Sequence, residues 1–366
     1  MYRTIARRTI WSPSMDQFQT PHAVDLTLVA HAAAVETLQI DLVARGWVGL
    51  FGALLQPGSN GSPLVWRENG PGGEAEIKRA YSALFGRFFG RAILRHEHGC
   101  RDLRQVHDGR EIASGLRIRR RRGVSARGDL PDWVSWNATS GCYSVCEAKG
   151  SHDQGDWEVR VPPVVNAAMR QTNRMEIIDA SGVRVQTKNW VVASRWGTQG
   201  NARTPTVITM DPLSDGRPLT DAEREKLPRE THALFLADLL KGLGRADLVG
   251  EGGDLSPSPS ASFAQDSVVV AGREGYAAVL VDGSGVFPLR GPQRRQRFDA
   301  LREVSEEVGR KVAVVLLERP AVEAAARREP RPQDFETVVS DNGQTITSDG
   351  VTVTWQLDTL ELEDAG

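Results

Sequence analysis

The chain has 366 residues, 40% hydrophobic and 25% charged, which suits two or three globular domains with cores of their own and excludes a disordered chain. Its longest apolar stretches, AHAAAV at 30–35 and HALFLADLL from His232, end well short of the roughly 20 residues a membrane span requires, so no membrane helix is expected. The net charge of −2 hides a division: residues 1–250 hold 33 Lys and Arg against 27 Asp and Glu, whereas residues 251–366 hold 12 against 20, leaving a basic front and an acidic back. A basic front suits a polyanionic partner.

In chain order, MYRTIARRTIWSPSMDQF has a basic start without the apolar core of a secretory signal, so export is not expected. Helical spacing of Val24, Leu28, Ala32, Val35, Ile40 and Val43, followed by the loop QPGSNGSP, predicts an N-terminal helical segment over 1–65. A second helix is predicted from about Glu74 to Ala92. Its apolar stripe is Ile77, Tyr81, Leu84 and Phe88, with Glu74 at the N-terminal end of the stripe and Glu76 a step off it. Strands are then expected at RAILRHEH, REIASGLRIRRRR, PDWVSW and CYSVCEAK, the last two joined by the turn NATSG. A helix over PPVVNAAMRQTNRMEII, strands at NWVVASRW and PTVITM, and a closing helix at ETHALFLADLLKGL complete an α/β core over 66–250 with a mixed central sheet flanked by helices.

EGGDLSPSPSASFAQ, rich in Gly, Ser and Pro, is the expected linker, 251–266. Beyond it SVVVA, YAAVLVDGSGVFPL, KVAVVLLE and the NG- and DG-punctuated end predict a small α+β module over 267–366. Its acidic surface repels a phosphate backbone and suits protein contacts, either self-association or recruitment of a partner.

Three cysteines, with Cys142 and Cys146 four apart inside a strand, fit neither a disulfide framework nor a zinc spacing, and are expected as buried thiols of a cytoplasmic protein. His96 and His98 are expected on one side of a strand, without the HExxH spacing of a zinc hydrolase. Trp133 and Trp136 are expected in the core, and Trp157 to border a substrate groove.

GDLPDWVSWNATSGCYSVCEAKGS, 128–151, carries the chemistry. Side chains two apart on a strand share a face, so Glu147 and Lys149 point together, and pairing across NATSG brings Asp132 level with them. Lys149 is one of six lysines among 45 basic residues, and a compact ammonium reaches a metal-bound water or a phosphoryl oxygen where a guanidinium fork is too broad. Two carboxylates of this kind suit Mg²⁺, with Mn²⁺ as its substitute.

Pro131-Asp132, fourteen intervening residues and Glu147-Ala148-Lys149, on strand, turn and strand after a helix with an acid on its stripe, resemble the PD-(D/E)XK nuclease superfamily over roughly residues 70–250. The resemblance implies a restriction-endonuclease-like core and a Mg²⁺-dependent endonuclease acting on DNA, in restriction or defence against foreign DNA. The alternatives are an inactive or partner-licensed nucleic-acid-binding component, and a repair or RNA nuclease. It implies Asp132 and Glu147 as metal ligands, Glu74 as the helix acid beside them, Lys149 as the group that activates water, and Gln171 as a polar residue directed at the site. Arg117, Arg119, Arg120, Arg121, Arg122 and Arg127, just ahead of the motif, are expected to contact DNA phosphates without sequence specificity.

Overall fold

The computed structural model describes residues 2–12, 15–39, 59–68, 70, 74–121, 123, 128–151, 155–198, 206–211, 215–250, 255, 267–270, 272–281, 285–291, 293–307, 312–329, 337–341 and 344–355. The predicted linker, Leu255 apart, and Arg122 and Arg127 lie outside these residues. The chain divides into two compact units, residues 1–32 with 53–231 and residues 33–52 with 232–366.

The first unit contains β1 (Tyr2–Ser12), β2 (Met15–Asp25), the start of α1 (Leu26–Gln39), β3 (Val65–Trp66), α2 (Ala75–His98), β4 (Cys100–Gln105), β5 (Glu111–Ala113), β6 (Leu116–Arg120), β7 (Trp133–Asn137) and β8 (Cys142–Ser151). It continues through α3 (Pro163–Thr172), β9 (Met175–Ile178), β10 (Arg184–Val185), β11 (Thr187–Arg195), β12 (Gly197–Thr198), β13 (Thr206–Met210) and the start of α4 (Asp221–Gly242). Its main sheet has the order β2-β1-β13-β11-β8-β7-β4 and is mixed: β1 runs parallel to β13 and β11 parallel to β8, while the other neighbours are antiparallel. A smaller sheet, β10-β9-β6-β5, packs Ile118, Met175 and Ile177 against Val134, Trp136, Tyr143 and Val145 of the main sheet.

Several sequence expectations change here; the helix predicted over PPVVNAAMRQTNRMEII ends at Thr172, and MEII is strand β9. The predicted helical N-terminal segment begins with a hairpin, β1–β2, and its helix is confined to 26–39 among the described residues. YRTIARRTIWS lacks clean alternation because Arg3 and Arg8 are both buried; Arg8 donates to Asp16 and to the Trp157 carbonyl. RAILRHEH is the last two turns of α2, not a strand, and the helix ends at Gly99, whose φ of 68° closes it in the left-handed region. His96 and His98 therefore sit at a helix end, where burial lowers both imidazoles to about 4 and His98 stacks on Trp190 at 4.1 Å. Trp157 is fully buried among Val165, Ala168 and Val191, where it cannot stack on a base, and Trp133 and Trp136 are core residues as expected.

Helix α4 begins with a capping box read directly in Thr220-Asp221-Ala222-Glu223: the Thr220 amide donates to Glu223 at 2.8 Å and the Glu223 amide to Thr220 Oγ1 at 3.3 Å. Arg217 bridges Glu223 to Asp179 in the β9–β10 turn; the Ser181 hydroxyl and then Arg217 hold the Asp179 carboxyl down at about 2, and Arg217 with Thr220 holds Glu223 there. A carboxyl whose pKa is depressed on folding adds stability above its unfolded value, near 4, and loses it as the pH falls toward the folded value. Thermal melts at pH 5 and pH 3 are expected to show a shallower acid loss in Arg217→Met than in the native chain. Equal losses would remove this network from the acid response.

The second unit holds an antiparallel sheet, β14 (Val268–Val270), β15 (Arg273–Val281), β17 (Val312–Glu318), β20 (Val351–Thr354), β19 (Thr345–Ser348) and β18 (Val338–Val339), with β16 (Gly285–Leu289) on β15. One face packs on α5 (Arg294–Glu307) through Phe298. The other packs on α6 (Arg319–Ala326), on Val35 and Leu38 of α1 and on Leu236, Leu239 and Leu240 of α4. The unit thus takes in helical residues from well before the predicted boundary at 267, because its second apolar face needs cover that the C-terminal hundred residues do not supply. No helix among the described residues is long and apolar enough to cross a membrane.

Candidate active site

Strands β7 and β8 form the expected hairpin. Trp133 lies opposite Cys146 and Asn137 opposite Cys142, with Asn137 Oδ1 accepting from Ser140 and Gly141 in the left-handed region at the turn. This register sets Asp132 beside Glu147: the Asp132 amide donates to Glu147 Oε2 at 3.0 Å, and the Ala148 amide donates to Asp132 Oδ2 at 2.8 Å.

Along one face of β8 the environment changes by steps. Tyr143 and Val145 lie in the core under the smaller sheet, Glu147 is still 0% exposed, and Lys149 emerges half-buried with its ammonium on Glu147 Oε1. Burial, then the neighbouring Asp132 charge, pushes the Glu147 carboxyl well above the ordinary carboxylate range, and Lys149 opposes the shift. A carboxylate in this position demands a cation.

Helix α2 covers the opposite face of β8. Phe85 and Phe89 anchor it among Trp66 and Trp196, with ring centroids 4.5 Å apart for Trp66–Phe85 and 4.6 Å for Phe89–Trp196. Gly86 lies against the backbone at Lys149–Gly150, and a Cβ at Gly90 would stand 2.6 Å from the Ala148 Cβ. Two glycines four apart thus bring the helix backbone onto the motif strand. Between them, Arg87 pairs with Asp132 Oδ1 and lies over the Trp133 ring at 4.7 Å.

The segment leading into Asp132 is held by three successive carbonyls. Arg120 donates to Gly128 at 2.9 Å, Arg174 to Asp129 at 3.1 Å, and Gln171 to Leu130 at 2.6 Å. Gly128 has φ 114° and its missing Cβ leaves room for the Arg174 guanidinium, so a side chain there meets both strain and a clash. Gln171 is buried at the end of α3, and its amide nitrogen is spent on positioning Asp132. Gln171→Ala is therefore expected to lower thermal stability, since it orphans a backbone carbonyl at a cost of about 1–3 kcal/mol. A melt unchanged from native would deny the anchor.

The structure brings Asp132, Glu147 and Lys149 together, with Gln171 behind them. It does not bring Glu74: the residue precedes the first turn of α2, exposed, roughly 18 Å along the helix from Gly86. Glu76 is exposed too, because burial on α2 starts only at Ser82. Of the arginines, Arg117 is exposed, Arg119 is paired with buried Glu176 at 2.6 Å, and Arg121 lies 3.7 Å from Asp215. Sequence reading missed Arg87, though Gly86-Arg87-Phe88-Phe89-Gly90 carries the small-residue spacing that marks a helix face pressed on a neighbour.

Among the described residues no group of three or more His, Cys, Asp and Glu side chains gathers as a metal cage. The donor chemistry nevertheless fits a hard cation, since Mg²⁺ is usually held by one or two carboxylates with waters and a substrate phosphate completing its shell, and Asp132 and Glu147 supply two. No family model matches the chain, and no curated protein or solved structure matches it.

Proposed function

We propose that the protein is a divalent-metal-dependent nuclease that hydrolyses phosphodiester bonds of DNA, built on a restriction-endonuclease-like core in the first unit. The observation that carries this reading is the hairpin register that sets Asp132, Glu147 and Lys149 side by side where a buried strand face opens. Asp132 and Glu147 would hold the ion, Mg²⁺ or Mn²⁺, which when bound acts as a Lewis acid on the phosphate and lowers the pKa of a water. Lys149, the exposed end of the trio, orients that water and offsets the charge that develops on the phosphoryl oxygens. Burial keeps Glu147 from turning away, and the three anchored carbonyls at 128–130 keep Asp132 in register. The biological setting that goes with this chemistry is restriction or defence against foreign DNA.

The test is incubation of the purified protein with plasmid, single-stranded DNA and RNA in Mg²⁺, Mn²⁺ or EDTA, beside Asp132→Asn. Cutting of DNA that needs the metal and Asp132 is expected. Cutting that survives EDTA or the substitution sinks the mechanism.

Phosphate contact by the basic run is expected from Arg117, which is exposed, and from Arg121, whose ion pair with exposed Asp215 is a loose 3.7 Å. Arg119 is a poor site for substitution because it holds buried Glu176 by two hydrogen bonds, and Arg120 because it holds Gly128. Replacing Arg117 and Arg121 together with alanine is expected to flatten the slope of log K against log salt by roughly 0.9 for each phosphate no longer neutralised. An unchanged slope in a binding titration moves the DNA path elsewhere.

A further inference from the structure

From the place of Arg87 between two helix glycines that seat α2 on the motif strand, we infer that this residue is a built-in competitor for the cation site: its guanidinium neutralises Asp132 at rest and is displaced when a divalent ion binds. The inference rests on the nuclease reading above and deepens it.

Three observations carry it. Asp132 has two carboxylate oxygens; Oδ2 accepts from the Ala148 amide, and Oδ1 carries Arg87. The guanidinium is held from a second side by the Trp133 ring, which is fully buried and fixed in register opposite Cys146. Its helix cannot slide or roll away, because Cβ-less Gly86 and Gly90 sit directly on the backbone and side chain of β8 while Phe85 and Phe89 are locked among tryptophans. Arg87 is therefore set by the fold against this one carboxylate. Its side chain is nevertheless 23% exposed, so it can swing from Asp132 into solvent or onto a bound phosphate without repacking the core.

A cation and the guanidinium then compete for the Asp132 carboxylate. If Arg87 holds Asp132 nine times in ten, the apparent cation affinity is weakened by about tenfold, and removing Arg87 restores it. At rest each carboxylate has one oxygen on a backbone amide and the other on a positive partner, Arg87 on Asp132 and Lys149 on Glu147, and of these two partners Arg87 is the one with no part in the proposed chemistry.

Binding of Mg²⁺ alone, without DNA, is measured by isothermal titration calorimetry for the native chain, Arg87→Gln, Arg87→Lys and Asp132→Asn, with tryptophan emission followed in parallel. Arg87→Gln is expected to bind Mg²⁺ about tenfold more tightly than native, and Arg87→Lys, which keeps the charge without the flat fork, to fall between. Native emission is expected to change with Mg²⁺ as the guanidinium leaves the Trp133 ring, and that change is expected to be absent in Arg87→Gln. If Asp132→Asn abolishes binding while both Arg87 variants bind as native does, the inference is overturned and the metal site stands. If no variant differs from Asp132→Asn, including native, the metal site itself falls and Arg87 with it. Should Arg87→Gln not fold, equal affinity of Arg87→Lys and native is the overturning result.

Discussion

Replacing Lys149 with alanine is expected to slow single-turnover DNA cleavage by about 10³-fold while leaving DNA affinity nearly unchanged. One positive charge beside the Glu147 carboxylate alters the number of neutralised phosphates by at most one. Its value lies in the transition state, where charge gathers on the phosphoryl oxygens and the attacking water must be held in line. Side-chain packing does not confound the experiment, since the lysine is half-exposed at the end of its strand. Glu147 is a different matter: the substitution leaves its buried carboxylate without the ammonium, so a modest loss of stability accompanies the loss of rate. The measurement is a cleavage time course at saturating protein together with a binding isotherm in EDTA. A rate within tenfold of native removes Lys149 from the chemistry; a large loss of affinity makes it a binding residue instead.

Placing valine at Gly150 is expected to destabilise the first unit by about 3 kcal/mol or more. A Cβ there runs into the Ser82 carbonyl of α2, which is backbone and cannot rotate away, so either the helix lifts from β8 or the strand end turns out. Urea denaturation gives the stability directly. Because Arg87 and Lys149 both depend on the seating of α2 against β8, Mg²⁺ affinity is expected to change as well. Gly115, with open space around its Cβ position, is a contrast: only its φ of 77° opposes substitution, and Gly115→Ala is expected to cost about 1 kcal/mol. Equal costs for the two substitutions would mean that α2 is not seated tightly on β8.

The acidic charge of residues 251–366 predicts a module that avoids DNA; half of its 20 Asp and Glu lie outside the described residues, and the described sheet has both faces covered by helices. Two of those covering segments come from α1 and α4, so a chain cut near Asp247 retains helices deprived of their apolar partner. Truncation is therefore a poorer probe of this module than point substitution on its exposed charges.

The sequence by itself determined the local grammar of this protein. Alternation and the NATSG turn define β7–β8, and a two-residue spacing puts Glu147 and Lys149 on one face whatever surrounds them, because the strand period is set by backbone geometry. The Thr220–Glu223 box starts α4 for an equally local reason. Tertiary structure decided everything that depends on which surfaces meet. The β1–β2 hairpin has no clean pattern because its strand order is imposed by pairing with distant β13, and its buried Arg8 is held by Asp16 and the Trp157 carbonyl. Glu74 lies on an apolar stripe in the sequence yet stays exposed, since a stripe tells which side of a helix faces the core but not how far along its length the sheet reaches. Arg87 falls on Asp132 for the converse reason: forty-five residues separate them in the chain, and only the close seating of two glycines on a strand makes them neighbours.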